Sequence, residues 1–233
     1  MADIQFIAGS GKPRILLVHS TPIQIGDGGW TYTPEFVNST NIGSNYQVRL
    51  GMRIHSYRVI LGQPSRKVWG KVIAIDSGSL RVDAWYGGTP TNGQICYRDG
   101  WVIDLPYCQE LVETFTPDQL VHHLYRSRKS ALFFGWGYEA QLNYAEYIDA
   151  NTLLDLRPAM NKRTDDALVL IPRIDRPGRQ YNVIFNGEVD LARHQMQGHR
   201  KVVLKFQGTE NVTFPTPSSG YGFGYGKNYG HQL

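Results

Sequence analysis

Short apolar–polar runs separated by turn clusters fill the first 115 residues. Segments 12–18, 46–61 (broken by Gly51), 68–75 and 80–86 read as strands. Between the last two stands Asp76-Ser77-Gly78-Ser79, a tetrapeptide that predicts a hairpin. Segments 95–98 and 101–105 flank Asp99-Gly100, the strongest short hairpin signal in the chain. Residues 24–44 are rich in Gly, Asn, Ser, Thr and Pro without a clear period, and read as a long loop. The spacing predicts a β-sandwich or barrel over 1–115.

A different signal begins at Thr116-Pro117-Asp118-Gln119. It offers a capping hydroxyl, a proline at the first helical position, an acid in the first turn and a capping-box Gln. Leu120, Val121, Leu124 and Tyr125 follow at helical spacing, and Arg126, Arg128 and Lys129 suit the negative end of the dipole. These residues predict one helix over 117–129. Residues 131–134 read as a strand or buried segment, and 149–156 as a short helix. Strands are expected at 167–171, 181–185 and 202–206, with turns at Arg176-Pro177-Gly178 and Asn186-Gly187. The whole is mainly β: a sandwich or barrel over 1–115, a helix plus second β-rich region over 116–214, and an extended Gly/Tyr-rich tail over 215–233. That tail holds Gly220-Tyr221-Gly222-Phe223-Gly224-Tyr225-Gly226 and cannot bury a core of its own.

Composition supports this picture. Aromatic residues make up 12% of the 233-residue chain, and 25 Gly and 12 Pro suit many short strands joined by tight turns. Apolar runs stay strand-sized, well short of the roughly 20 residues of a membrane helix. Residues 1–10 show neither a basic n-region nor a long apolar stretch, so no classical signal peptide is expected. The net charge of +4 is not concentrated: 1–115 carry 10 basic and 9 acidic residues, 116–214 carry 13 and 11, and the tail adds one Lys. So even a mixture argues against nucleic acid as a partner.

Candidate chemistry is sparse. Gly135-Trp136-Gly137-Tyr138-Glu139-Ala140 has the G-x-G-x-x-A form, with Asp155 at a ribose-contact distance, but no βαβ unit surrounds it. Gly9-Ser10-Gly11-Lys12 lacks the first glycine of a phosphate loop, and Pro13 stands where Ser or Thr would hold magnesium. On a helix His122 and His123 would point about 100° apart, and His194 and His199 match no zinc spacing. Cys96 and Cys108 are expected to be buried reduced thiols. Asn38-Ser39-Thr40 and Asn211-Val212-Thr213 are sequons expected to be incidental. No catalytic, cofactor or metal residue is therefore assigned. The aromatic set Trp85, Tyr86, Tyr97, Trp101 and Tyr107 surrounds two predicted hairpins. Core or cross-strand packing is its default reading; the alternative is glycan stacking on Trp85, Tyr86 and Trp101.

Several segments resemble tail proteins of tailed bacteriophages, of the distal tail or baseplate type. They are Leu156-Arg157-Pro158-Ala159-Met160, the run from Ala167 through Pro172-Arg173-Ile174-Asp175 to Pro177, Tyr181-Asn182-Val183-Ile184-Phe185, and the segment Gly70 to Gly93, which with its Val82-Asp83-Ala84-Trp85-Tyr86-Gly87-Gly88-Thr89-Pro90 resembles the small β-modules of such virion proteins. The resemblance implies a non-enzymatic structural subunit of the virion tail that forms a ring with copies of itself and holds other tail proteins. Tyr221, Phe223, Tyr225 and Tyr229 would then anchor on a neighbour. The alternatives are a host-adhesion domain that binds surface glycan, and a glycan-degrading virion enzyme with carboxylates near the aromatic hairpins.

Overall fold

The computed structural model describes residues 4–8, 12–42, 46–123, 129–148, 156–160, 162–176, 178–186, 190–193 and 200–212. In chain order the strands are β1 (Ile4–Ala8), β2 (Arg14–Gln24), β3 (Thr31–Tyr32), β4 (Phe36–Asn38), β5 (Met52–Arg58), β6 (Arg66–Asp76), β7 (Ser79–Val82), β8 (Tyr97–Asp104), β9 (Glu110–His123) and β10 (Lys129–Ile148). A four-residue helix, α1 (Arg157–Met160), precedes β11 (Ala167–Ile171), β12 (Tyr181–Phe185), β13 (Asp190–Arg193) and β14 (Arg200–Gly208). The fold is mainly β. All fourteen strands join one antiparallel sheet in the order β1-β9-β10-β14-β12-β11-β2-β8-β5-β6-β7-β4-β3, with β13 beside β14.

This sheet serves two cores. One gathers Leu111 and Phe115 of β9, Tyr138 and Leu142 of β10, Leu168 and Leu170 of β11, and Leu204 and Phe206 of β14, with Ala159 of α1. The other gathers Trp30, Val37, Ile54, Val68, Leu80, Trp85 and Cys96. β2 explains its own sequence. Ile15 and Leu17 point into the first core, while Leu16 packs with Val102 and Ile171 on the opposite face. A strand covered on both sides has no polar face, which is why the run Ile15-Leu16-Leu17-Val18 does not alternate. Each such fully buried side chain contributes about 1.5–3 kcal/mol.

The Ser77-Gly78 turn forms as expected: Asp76 faces Ser79, and Gly78 supplies the positive φ of 81°. Segments 167–171 and 181–185 are β11 and β12, and 202–206 lies within β14. Other expectations are corrected. Asp99-Gly100 makes no hairpin, because β8 runs straight through it. Residues 24–44 include the short strands β3 and β4. The only helix among the described residues is α1, next to the expected 149–156; residues 149–155 lie outside the described ones.

The helix expected over 117–129 is not formed. Residues up to His123 continue β9 and Lys129 begins β10, while 124–128 lie outside the described residues. The local cap signal loses to a ladder in which β9 faces β10 from Glu110–Asn143 to His123–Lys129. Alternating burial of Leu111, Glu113 and Phe115 sets the register of that ladder. Pro117 is tolerated for a geometric reason. Its partner Trp136 exchanges both backbone hydrogen bonds with Val212 on the other side. The Pro117–Trp136 position thus needs no N–H from proline, whose nitrogen points away from β10.

Candidate functional site

Two features stand apart from ordinary packing: an apolar hairpin arm and a basic pocket. The arm is the distal part of β9–β10. β1 covers β9 only from Leu111 to Phe115, and β14 covers β10 only from Glu139 onward, with Val212 bridging Trp136. Beyond these limits, and among the described residues, 116–123 and 129–135 make ladder pairs with each other alone. Leu120, Val121, Leu132, Phe133 and Phe134 lie here, and all are 40–57% exposed. Leu120 faces Leu132 across the ladder, whereas Phe133 faces Gln119, so apolar groups occupy both faces of the ribbon. Between Phe133 and Gly135 the register slips by one residue, a bulge at Phe134. Gly135 takes φ 134°, and a Cβ there would meet Asn211 at 2.9 Å. The Gly135-Trp136-Gly137 sequence is thus a strand bulge with no βαβ unit around it.

The pocket arises where β2 and β8 lose register. Val18 faces Gly100 and Ile23 faces Arg98, so residues 19–22 of β2 stand opposite Asp99 alone. On the β5 side, Arg53 faces Gly100 and Ile54 faces Arg98, leaving Asp99 as the extra residue. The looped-out segment leaves a cavity of about 250 Å³ lined by His19, Thr21, Gln47, Arg49, Arg98 and Trp101, with Met52 and Gly100 also contributing.

Charge is distributed unequally around it. Asp99 is buried and serves Arg53, whose Nη1 donates to Oδ2; Lys67 Nζ lies at 3.1 Å and His55 Nδ1 at 2.7 Å. Burial alone would raise the Asp99 carboxyl. The His55 hydrogen bond and the charges of Arg53, His55 and Lys67 reverse this and bring it to about 2. His19 Nδ1 lies 3.0 Å from Asp166 Oδ2, and that carboxylate also accepts the N–H groups of Ser20 and Arg163. Burial again opposes ionisation, but these hydrogen bonds hold Asp166 below the ordinary carboxylate range. Among the described residues Arg49 and Arg98 have no acidic partner, and Arg98 Nε is buried without a hydrogen bond.

The aromatic candidates are dispersed. Trp85 is 8% exposed, sits edge-on to Tyr32 at 5.7 Å, and donates its indole N–H to the Thr33 carbonyl. Tyr86 stacks on Trp69 at 4.1 Å and takes a hydrogen bond from Arg14. Tyr97 stacks on His55, and Tyr107 is exposed at the surface. Trp101, by contrast, lines two openings. It borders the basic pocket and a second groove of about 530 Å³ with Leu50, Val72 and Ile73. Nearby carboxylates are neutralised: Asp104 accepts from Arg14 at 2.5 Å and Lys71 at 2.7 Å, and Asp83 pairs with Arg14 at 3.5 Å. Cys96 and Cys108 are buried in different cores and share no disulfide. Tyr221, Phe223, Tyr225 and Tyr229 lie outside the described residues.

Sequence reasoning missed both features. Leu120 and Val121 belong to the expected helix stripe and 131–134 to an expected strand or buried segment, so their pairing into one exposed arm is not legible, and the pocket depends on a bulge masked by a turn dipeptide. Among the described residues no group of three or more His, Cys, Asp or Glu side chains is placed to hold a metal ion. No described helix is long and apolar enough to cross a membrane. No family model matches the chain, and no curated protein or solved structure is significantly similar to it.

Proposed function

We propose that this chain is a non-enzymatic structural subunit of a phage virion tail, building a ring from copies of itself and holding neighbouring tail proteins in register. The observation that carries the reading is the β9–β10 arm. A ribbon of two strands is marginal in water, and this one presents Leu120, Leu132, Phe133 and Phe134 to solvent. Covering both of its faces calls for a neighbour. The same chain offers an acceptor, the groove bordered by Leu50, Ile73 and Trp101. A donor patch and an acceptor groove at different places on one chain make a head-to-tail contact, the kind that closes into rings. Placement in a virion tail rests on the resemblance of segments 82–90, 156–160, 167–177 and 181–185. The Gly/Tyr tail, with Tyr221, Phe223, Tyr225 and Tyr229, would add a second strap along a neighbour.

The test is mass measurement and particle imaging of the full chain, of a chain ending at Phe214, and of a Leu132→Ser/Phe133→Ser variant. Rings are expected from the full chain. The arm variant should be monomeric with an unchanged circular dichroism spectrum. A full chain that stays monomeric alone and with its natural tail partners overturns the proposal.

A further inference from the structure

We infer that the pocket between β2 and β8 is a binding site for one acidic sugar residue, a hexuronate-type carboxylate on a pyranose ring. The inference does not depend on the arm or on ring formation.

The electrostatic part of the argument is the imbalance among the charges. Several buried or half-buried cations among the described residues are matched by carboxylates, although Arg53 Nε, like Arg98 Nε, has no hydrogen bond of its own. Arg14 has Asp83 and Asp104, Arg53 has Asp99, and Arg179 has Glu113. At the pocket the pattern fails. Arg98 is half-buried, Arg49 is exposed and lines the same pocket, and among the described residues neither meets a carboxylate. Arg98 Nε is a buried donor with no acceptor. An unmet donor of that kind costs free energy that a bound anion would recover. Two guanidinium groups, with their planar forks of donors, suit a carboxylate.

Size and lining decide between a bare anion and a sugar. A cavity of about 250 Å³ is much larger than a phosphate or acetate needs. It is also just below the roughly 300–1,000 Å³ of pockets for drug-sized ligands. One ring with its substituents fits that interval. Trp101 provides an aromatic wall, and Thr21, Gln47 and His19 provide hydrogen-bonding groups for hydroxyls. His19 is held in place from behind by Asp166, whose side chain is 2% exposed. A nucleic-acid strand would need a basic track along the surface, whereas Arg49 and Arg98 line one pocket.

The experiment titrates the full chain with glucuronate, glucose and inorganic phosphate by calorimetry, with tryptophan fluorescence as a second readout. Glucuronate is expected to bind and to change the fluorescence; glucose and phosphate are each expected to bind at least about tenfold more weakly, since each lacks one half of the recognition. Arg98→Gln should reduce glucuronate affinity by about tenfold or more. If Arg98→Gln does not fold, the exposed Arg49→Gln supplies the same comparison. A fluorescence response abolished in Trp101→Phe places the ligand against that wall. Absence of glucuronate binding, equal binding of glucose, equal binding of phosphate, or unchanged affinity in the arginine variant that folds would each overturn the inference.

Discussion

Gly100 crosses β2 so closely that a Cβ on it would lie 1.7 Å from the carbonyl oxygen of Leu17. Its φ of 151° is also one that side chains rarely adopt. Gly100→Ala therefore meets both a backbone clash and a strained backbone, and neither strand can retreat, since each is paired on both sides. The expected cost exceeds about 4 kcal/mol, in the exceptional range for one substitution. Chemical denaturation measures it; a loss below about 1 kcal/mol would show that the crossing is looser than described.

Asp99 makes stability depend on acid. Its folded value of about 2 lies below the ordinary 3.8, so the charged carboxylate favours the folded state. That contribution is fully present above about pH 4 and is lost as the pH falls toward 2. It amounts to about 2 kcal/mol for this residue. Asp104 and Asp166 are depressed as well and act in the same direction. Calorimetric melting temperatures should fall over this interval, and Asp99→Asn should flatten the fall while lowering stability at neutral pH. A slope unchanged in Asp99→Asn would exclude this carboxylate as its source.

Asp99→Ala at neutral pH is a harsher change. It leaves Arg53, His55 and Lys67 facing one another with Arg53 and His55 buried. Removing one member of a buried ion pair costs about 3–5 kcal/mol. Adding Arg53→Met to Asp99→Ala should recover part of that loss, because the uncompensated charge goes too. Urea unfolding of the two single variants and the double reads the coupling directly.

The thiols offer a further check. Cys96 lies fully buried in the second core, and burial pushes its thiol well above the ordinary range. Cys108 is equally buried in the first core. A thiol reagent should modify neither residue in the native protein at pH 8 and both in denaturant. Rapid native labelling of Cys96 would mean that the core around Trp30 and Trp85 opens readily.

Much of the strand framework was legible because alternation and turn chemistry agree there. Ser77-Gly78 forms its hairpin since Gly78 supplies the positive φ and the flanking residues 68–75 and 80–82 are strand formers. Asp99-Gly100 has the same local chemistry but the opposite outcome. Its aspartate is wanted inside by Arg53, and its glycine is wanted for a close strand crossing. Nothing in a dipeptide distinguishes those uses. Thr116-Pro117-Asp118-Gln119 misleads for a similar reason: a helix cap is a local preference, and the β9–β10 ladder is a long-range one that outweighs it. The basic pocket was illegible because Thr21, Gln47 and Arg98 come from distant segments joined only by a register slip. Tyr86 and Trp85 follow the default packing reading of the sequence, in ring contacts with Trp69 and Tyr32.

β2 sends Ile15 and Leu17 into one core, and Ile25, the residue after its end, into the other. Over Arg14–Val18 it is paired with β11 on one side and β8 on the other, and beyond the looped-out 19–22 it rejoins β8 through Ile23 and Gln24. A pull between the two ends of the sheet therefore runs along a covalent strand rather than across a seam. Once the slack of 19–22 is drawn out, freeing residues 14–18 requires both antiparallel neighbours to slide at once, breaking many hydrogen bonds in parallel instead of one after another. β2 thus acts as a tie rod, and tension along it should meet a single high barrier rather than a series of small ones.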